Sequence, residues 1–240
     1  MDNLVEYVVQ PGNGRAGALL VGSHTRKNQF QKPSDKDYVI VTPEGNIAEL
    51  TARIRSHDGF QDESDDSLRV MDGDVEYGLC LLSRIAFQNR ISNVLSDNFV
   101  QKDWAIWSVM PEGFYGDVEA GIIESDTEDN FLERTKIYIQ DHKSENIAKL
   151  EFQTLKKLQS LAALLKKHKH DIIHNEVLKG QILIFLIRLF YLRNNEFCKG
   201  IKHFSRDSEQ LSNGENIIGL IDSITRSDPE WITSFYTFLK

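Results

Sequence analysis

The stretch from Ala18 to Thr42 limits what this chain can fold into more than any other. Ala18-Leu19-Leu20-Val21 is an apolar run, Gly22-Ser23 punctuates it, eleven mostly polar residues follow, and Asp35-Lys36-Asp37-Tyr38-Val39-Ile40-Val41-Thr42 forms a second run. The pattern predicts a buried strand, a Gly-Ser turn opening a helix, a loop, and a strand that begins with two carboxylates. Side chains alternate faces along a strand, so Asp35 and Asp37 project to one side, about 6–7 Å apart. Two acids at that spacing repel each other unless a cation sits between them. Hard oxygen donors select Mg²⁺, with Mn²⁺ as a substitute, and both ions also take phosphate oxygens. A helix opening at Gly22-Ser23 supplies free N–H groups, a hydroxyl and the positive end of its dipole, all suited to a phosphate.

Two divalent ions about 3.5–4 Å apart call for a third carboxylate. Val70-Met71-Asp72-Gly73-Asp74-Val75-Glu76-Tyr77-Gly78-Leu79-Cys80-Leu81-Leu82 offers one. Asp72-Gly73 is a hairpin signal, and Val75 to Leu82 reads as a strand. Asp74, Glu76, Gly78 and Cys80 share one of its faces; Val75, Tyr77, Leu79 and Leu81 share the other. An acid whose next neighbour on its face is Gly leaves room for a ligand. Glu76 is the choice, with Asp74 as the alternative.

Gly22, Ser23, then Ser34, Asp35 and Asp37, with the strand Tyr38 to Thr42 behind them, resemble the signature of the DNA polymerase β-like nucleotidyltransferase superfamily. Small members often carry Gly four residues after the Ser, where this chain has Lys27. Asn28 stands beside it and tolerates a left-handed turn. Val-Glu-Tyr after Asp-Gly is similar to the third-acid strand of several members. The resemblance implies an α+β fold: a palm of mixed sheet and helices over residues 1–146, followed by an all-α bundle over 147–240. It implies Asp35, Asp37 and Glu76 as metal ligands and catalytic groups, holding two Mg²⁺ ions. Gly22 and Ser23 would hold the triphosphate. The chemistry implied is attack by an acceptor hydroxyl on the α-phosphate of a nucleoside triphosphate, with ATP as the default, releasing pyrophosphate.

The second half changes in spacing and charge. Residues 1–146 carry 14 basic against 26 acidic side chains, a net of −12, and residues 147–240 carry 14 against 10, a net of +4. An acidic first half suits cations and argues against wrapping a nucleic-acid backbone. Phe152, Leu155, Leu158, Leu161, Ala162 and Leu165 predict one apolar helical stripe. Val177 to Leu192 predicts the most buried helix; Ile217 to Ile224 and Trp231 to Leu239 predict two more, the last capped at Asp228-Pro229. The boundary falls in Asp141–Asn146. In the first half, Ile47–Ser56 and Ser83–Asn89 read as helices, Trp104–Met110 and Gly121–Ile123 as strands, and Gln61–Ser67 as a polar loop.

A catalytic palm with a helical bundle is similar to the nucleotidyltransferases that modify aminoglycosides or lincosamides. That likeness implies a hydroxyl-bearing small molecule, such as an antibiotic, as acceptor. It also implies a bundle packed over the nucleotide, often with homodimerisation. Lys202 (less readily Lys199) would neutralise triphosphate charge from the bundle. The rival is a regulatory member of the same fold that acts through a protein partner, antitoxin-like, or an enzyme that modifies a protein or RNA. Retention of both acids and Gly-Ser favours the enzyme.

Other signals are weaker. Gly12-x-Gly14-x-x-Gly17 spells a dinucleotide fingerprint, but the acid that should end its second strand instead begins one. His168, His170 and His174 lack a local third ligand and read as a solvated helix end. Trp104, Trp107, Phe114 and Tyr115 read as core. Cys80 and Cys198 read as reduced thiols. With no secretory pattern and no apolar run of spanning length, a cytoplasmic protein without membrane contact is expected.

Overall fold

The computed structural model describes residues 3–9, 16–22, 35–43, 46–64, 67–94, 111–168, 170–198, 201–211 and 213–240, with backbone alone for 63–64, 93–94, 111 and 201–202. The first elements are α1 (Asn3–Val9), β1 (Gly17–Val21), β2 (Asp35–Thr42), α2 (Ile47–Arg55), β3 (Phe60–Ser64), β4 (Ser67–Asp72), β5 (Val75–Ser83) and α3 (Arg84–Val94). They are followed by α4 (Pro111–Ala120), β6 (Ile122–Ser125) and α5 (Phe131–Asp141). The remainder is helical: α6 (Lys143–Lys167), α7 (Ile172–Arg193), α8 (Ile201–Gln210), α9 (Glu215–Thr225) and α10 (Trp231–Phe238). The six strands form one mixed sheet in the order β3-β4-β5-β2-β1-β6, parallel between β2 and β5 and antiparallel elsewhere. The fold is α+β, as the sequence predicts.

By contacts the chain divides into two units. One holds residues 1–92 and 117–141, the other 93–116 and 142–240, so the division passes through α4 between Gly116 and Asp117.

In the first unit, Tyr38 to Val41 are all buried, as a central strand covered on both faces requires. One face carries Ala18 and Leu20, Tyr38 and Ile40, Tyr77 and Leu79, Leu68 and Val70, and packs with Leu4, Val5 and Val8 of α1 and Leu50 and Ile54 of α2. Each Leu, Ile and Val among them stabilises the unit by roughly 1.5–3 kcal/mol on full burial. The other face is closed at one end by α3 and α5. A Cβ on Gly17 would stand 2.7 Å from Leu132 Cδ1, and the Phe87 and Phe131 rings meet edge-on at 5.6 Å. Strand β5 passes directly into α3, whose first turn is capped by Ser83 Oγ accepting from the Ala86 N–H. β1 and β2 run antiparallel, which removes the parallel βαβ unit a dinucleotide site needs.

Of Gln61–Ser67, expected as a loop, residues 61–64 lie in β3 and Ser67 opens β4. β3 is an edge strand, so Asp62 stays in water and the strand's polarity does not oppose pairing. The strand expected over Trp104–Met110 lies outside the described residues.

In the second unit, α6 buries Leu158, Leu161, Ala162 and Leu165 against Leu178, Ile182, Leu186 and Phe190 of α7, with Ile217 and Ile221 of α9 and Trp231 and Phe235 of α10. Phe152 departs from the expected stripe and is 58% exposed. At 100° per residue it falls about 120° away from Leu158, and the Lys156 ammonium covers its ring at 4.4 Å instead. α7 begins earlier than expected, with Ile172, Ile173 and Val177 exposed. Two buried polar contacts are invisible to periodicity. Arg188 Nε and Nη2 donate to Glu112 Oε1 and Oε2 at 2.5 and 3.0 Å, and the Tyr191 hydroxyl donates to Asp207 at 2.8 Å. Neither cysteine is in a disulfide.

Candidate active site

Strand register assembles the candidate site within the first unit. Directly opposed residues of neighbouring strands point to the same face of a sheet. Asp35 opposes Glu76, and Asp37 opposes Gly78 on one side and Val21 on the other. Asp35, Asp37, Glu76 and Gly78 therefore share the face that α3 and α5 cover farther along. They stand at its open end, where Asp35 and Asp37 are exposed and Glu76 is half-buried. Alternation decides the first pair, and the parallel β2–β5 ladder decides that Glu76 joins it. Asp74 sits in the two-residue turn between the paired residues Asp72 and Val75, with Gly73 at φ +61°.

Two glycines shape the space around Asp37. A Cβ on Gly78 would lie 2.6 Å from Asp37 Oδ1, and one on Gly22 would lie 3.0 Å from Oδ2. Gly22 also has φ +73°, which L side chains rarely adopt. Glycine at both positions leaves the carboxylate its place. Ser23 and Ser34, and the helix expected to open at Gly22-Ser23, lie outside the described residues. So does the side chain of Lys202, whose backbone lies in α8, and all of Lys199.

The face also holds a residue the sequence reading missed. Arg69 of β4 opposes Gly78 and Asp62. Its Nη1 donates to Glu76 Oε1 at 3.4 Å, and its Nε stands 3.8 Å from Asp62. The signal was available: a two-residue turn after Asp72 pairs 72 with 75, hence 71 with 76 and 69 with 78.

As donors, Asp35 and Asp37 fit a hard divalent ion: two carboxylates on one face, at a strand start, with glycine space beside the second. Glu76, opposite Asp35, is paired with Arg69 at 3.4 Å in this structure. Among the described residues no group of three or more His, Cys, Asp or Glu could hold a metal ion. The other candidates belong to the second unit. His168 and His174 stack at 4.2 Å, and His174 N–H donates to Asp171 at the start of α7. Glu151 of α6 receives the Arg193 guanidinium at 3.3 Å. Tyr115 is buried against Phe197, with ring centroids 5.3 Å apart.

No family model and no curated protein sequence matches this chain. Among solved structures, a nucleotidyltransferase-like protein from Exiguobacterium sibiricum 255-15 is similar at a TM-score of 0.47 and 10% identity, over 99% of this chain and 72% of that one. A CCA-adding enzyme in complex with ATP is similar at a TM-score of 0.26 and 9% identity, over 89% of this chain and 67% of that one. At these values neither likeness carries an argument about activity, which rests on the chain's own residues.

Proposed function

We propose that this chain is a nucleotidyltransferase that moves a nucleoside monophosphate, AMP from ATP, onto a hydroxyl of a small-molecule acceptor. The observation that carries the reading is the placement of Asp35 and Asp37 on one sheet face, with Gly22 and Gly78 clearing the space around Asp37. The acceptor hydroxyl gives up its proton to water as its oxygen bonds to the α-phosphorus, the bond from that phosphorus to the bridging oxygen breaks, and pyrophosphate leaves with the electron pair. Asp35 and Asp37 would hold Mg²⁺, which supplies Lewis-acid activation of the hydroxyl and offsets triphosphate charge. Gly22 and Ser23 would donate backbone N–H groups to phosphate oxygens. Glu76 stands opposite Asp35 as the third carboxylate. The acceptor class, an antibiotic among them, is part of this proposal, as is a cytoplasmic setting; among the described residues no helix is long and apolar enough to cross a membrane.

Mass spectrometry tests it directly. Metabolite and antibiotic pools incubated with the protein, Mg²⁺ and each triphosphate should yield an acceptor heavier by one nucleotidyl group, together with pyrophosphate. Binding of triphosphate with no adduct in any pool would point instead to a regulatory member of the fold.

A further inference from the structure

We propose that Arg69 is a positioning residue that withholds Glu76 from Asp35 and Asp37 until a polyphosphate draws its guanidinium away, so that the three carboxylates come together only with nucleotide present. The inference rests on the nucleotidyl-transfer reading above. Its ground is the register across four strands. Asp62, Arg69, Gly78 and Asp37 oppose one another in a row, and Glu76 and Asp35 stand in the next row of the same face. Arg69 and Asp37 are two strand spacings apart, about 9.5 Å between backbones. The residue between them in this row is Gly78, which adds no side chain of its own.

In this structure the guanidinium is shared between Glu76 at 3.4 Å and Asp62 at 3.8 Å. The side chains of Arg69, Asp62 and Glu76 are 58%, 67% and 40% exposed. Ion pairs this exposed are weak and change partner easily. Arg69 and a divalent cation compete for the same Glu76 oxygens, since binding both would crowd like charges. A polyphosphate offers the planar fork of donors a better partner than a single carboxylate oxygen. Polyphosphate binding would then free Glu76, and by reciprocity the cation would favour polyphosphate.

The experiment measures Mn²⁺ binding by electron paramagnetic resonance, first with no nucleotide. Arg69→Ala should bind Mn²⁺ about 3–10-fold more tightly than the parent, a coupling of the size found between groups in contact. Arg69→Lys, which keeps the charge without the fork, should fall between them. Placed on Glu76→Gln, the Arg69→Ala change should have no effect. A non-hydrolysable triphosphate should raise Mn²⁺ affinity more in the parent than in Arg69→Ala. Unaltered or weaker Mn²⁺ binding by Arg69→Ala, with binding abolished in the Asp35→Asn, Asp37→Asn double variant, overturns the role of Arg69 and leaves the transfer reading standing. An Arg69→Ala effect that persists in Glu76→Gln also overturns it, because the arginine then acts only as a distant charge. If parent and double variant bind Mn²⁺ equally, both readings fail. Thermal unfolding of each variant checks that the fold is intact.

Discussion

At Gly78 the missing side chain is what leaves Asp37 its place, since a Cβ there would stand 2.6 Å from Oδ1. The contact cannot be relieved without moving the carboxylate or β5. Gly78→Ala should therefore cut turnover on the order of 10²-fold, the scale of a displacement of about 1 Å in a catalytic group. Steady-state pyrophosphate release measures it, and parental turnover in the variant would remove Asp37 from the site. Asp35 and Asp37 differ from Gly78 in being exposed, so their loss should leave the fold alone. Asp35→Asn with Asp37→Asn should abolish Mg²⁺-dependent triphosphate binding in calorimetry while the unfolding temperature stays at the parental value. Glu76→Gln should lower turnover on the order of 10²-fold. Asp74→Asn, in the turn, should cost much less, and the reverse order would transfer the role to Asp74.

Elements are held in place by polar contacts as well as by their apolar faces. The turn before α5 is one case. Asp126 accepts the N–H groups of Leu132 and Glu133 at 3.0 Å each, and Thr127 Oγ1 accepts that of Phe131 at 3.1 Å. Beside them Asp129 receives the Thr127 hydroxyl at 2.8 Å, the Arg84 guanidinium and Arg134 Nη2. The Thr127 hydrogen bond, then Arg84, holds the Asp129 carboxyl below its ordinary range. A depressed native value means that the unfolded chain takes up the proton first as pH falls. The contribution is thus present above about pH 4 and is lost as pH drops through the native value. Urea midpoints of parent and Asp129→Asn should differ at pH 6 and converge towards pH 2.

The Glu112–Arg188 pair joins α4 to α7 with side chains 0% and 3% exposed. Removing one partner strands a buried charge, so Glu112→Ala should cost about 3–5 kcal/mol in urea unfolding. Replacing both partners, as Glu112→Leu with Arg188→Met, should recover most of the loss. A double variant no better than the single would show that the pair does more than satisfy its own burial.

Over the whole molecule, two cores mean two places where stability is decided. The sheet unit depends on α1 and α2 against one face, and the helical unit on α6 to α10 around α7. Hydrogen exchange resolved by peptide should show the Glu112→Ala loss in the amides of α6, α7 and α9, with β2 and β5 near parental protection. Uniform loss across both units would mean that they unfold as one. Charge is also divided along the sequence, acidic over residues 1–146 and basic over 147–240. An acidic sheet unit is the one that gains from a bound cation.

What the sequence determined by itself is what covalent geometry and short-range rules govern. A strand alternates faces, which put Asp35 and Asp37 together. A two-residue turn sets a register, which made the β4–β5 hairpin legible from Asp72-Gly73. A 3.6-residue period marks helices, which located most of α6, α7, α9 and α10. What only the tertiary structure decided are the pairings between distant segments. β5 lies parallel to β2, which set Glu76 opposite Asp35, and β3 takes the sheet edge despite its polar composition. Glu112 finds Arg188, and Phe152 turns outward. Local pattern says which residues must be buried or paired but not with whom. The partner is selected by which distant surfaces the folded chain brings together, and that choice depends on burial across the whole unit rather than on any window of sequence.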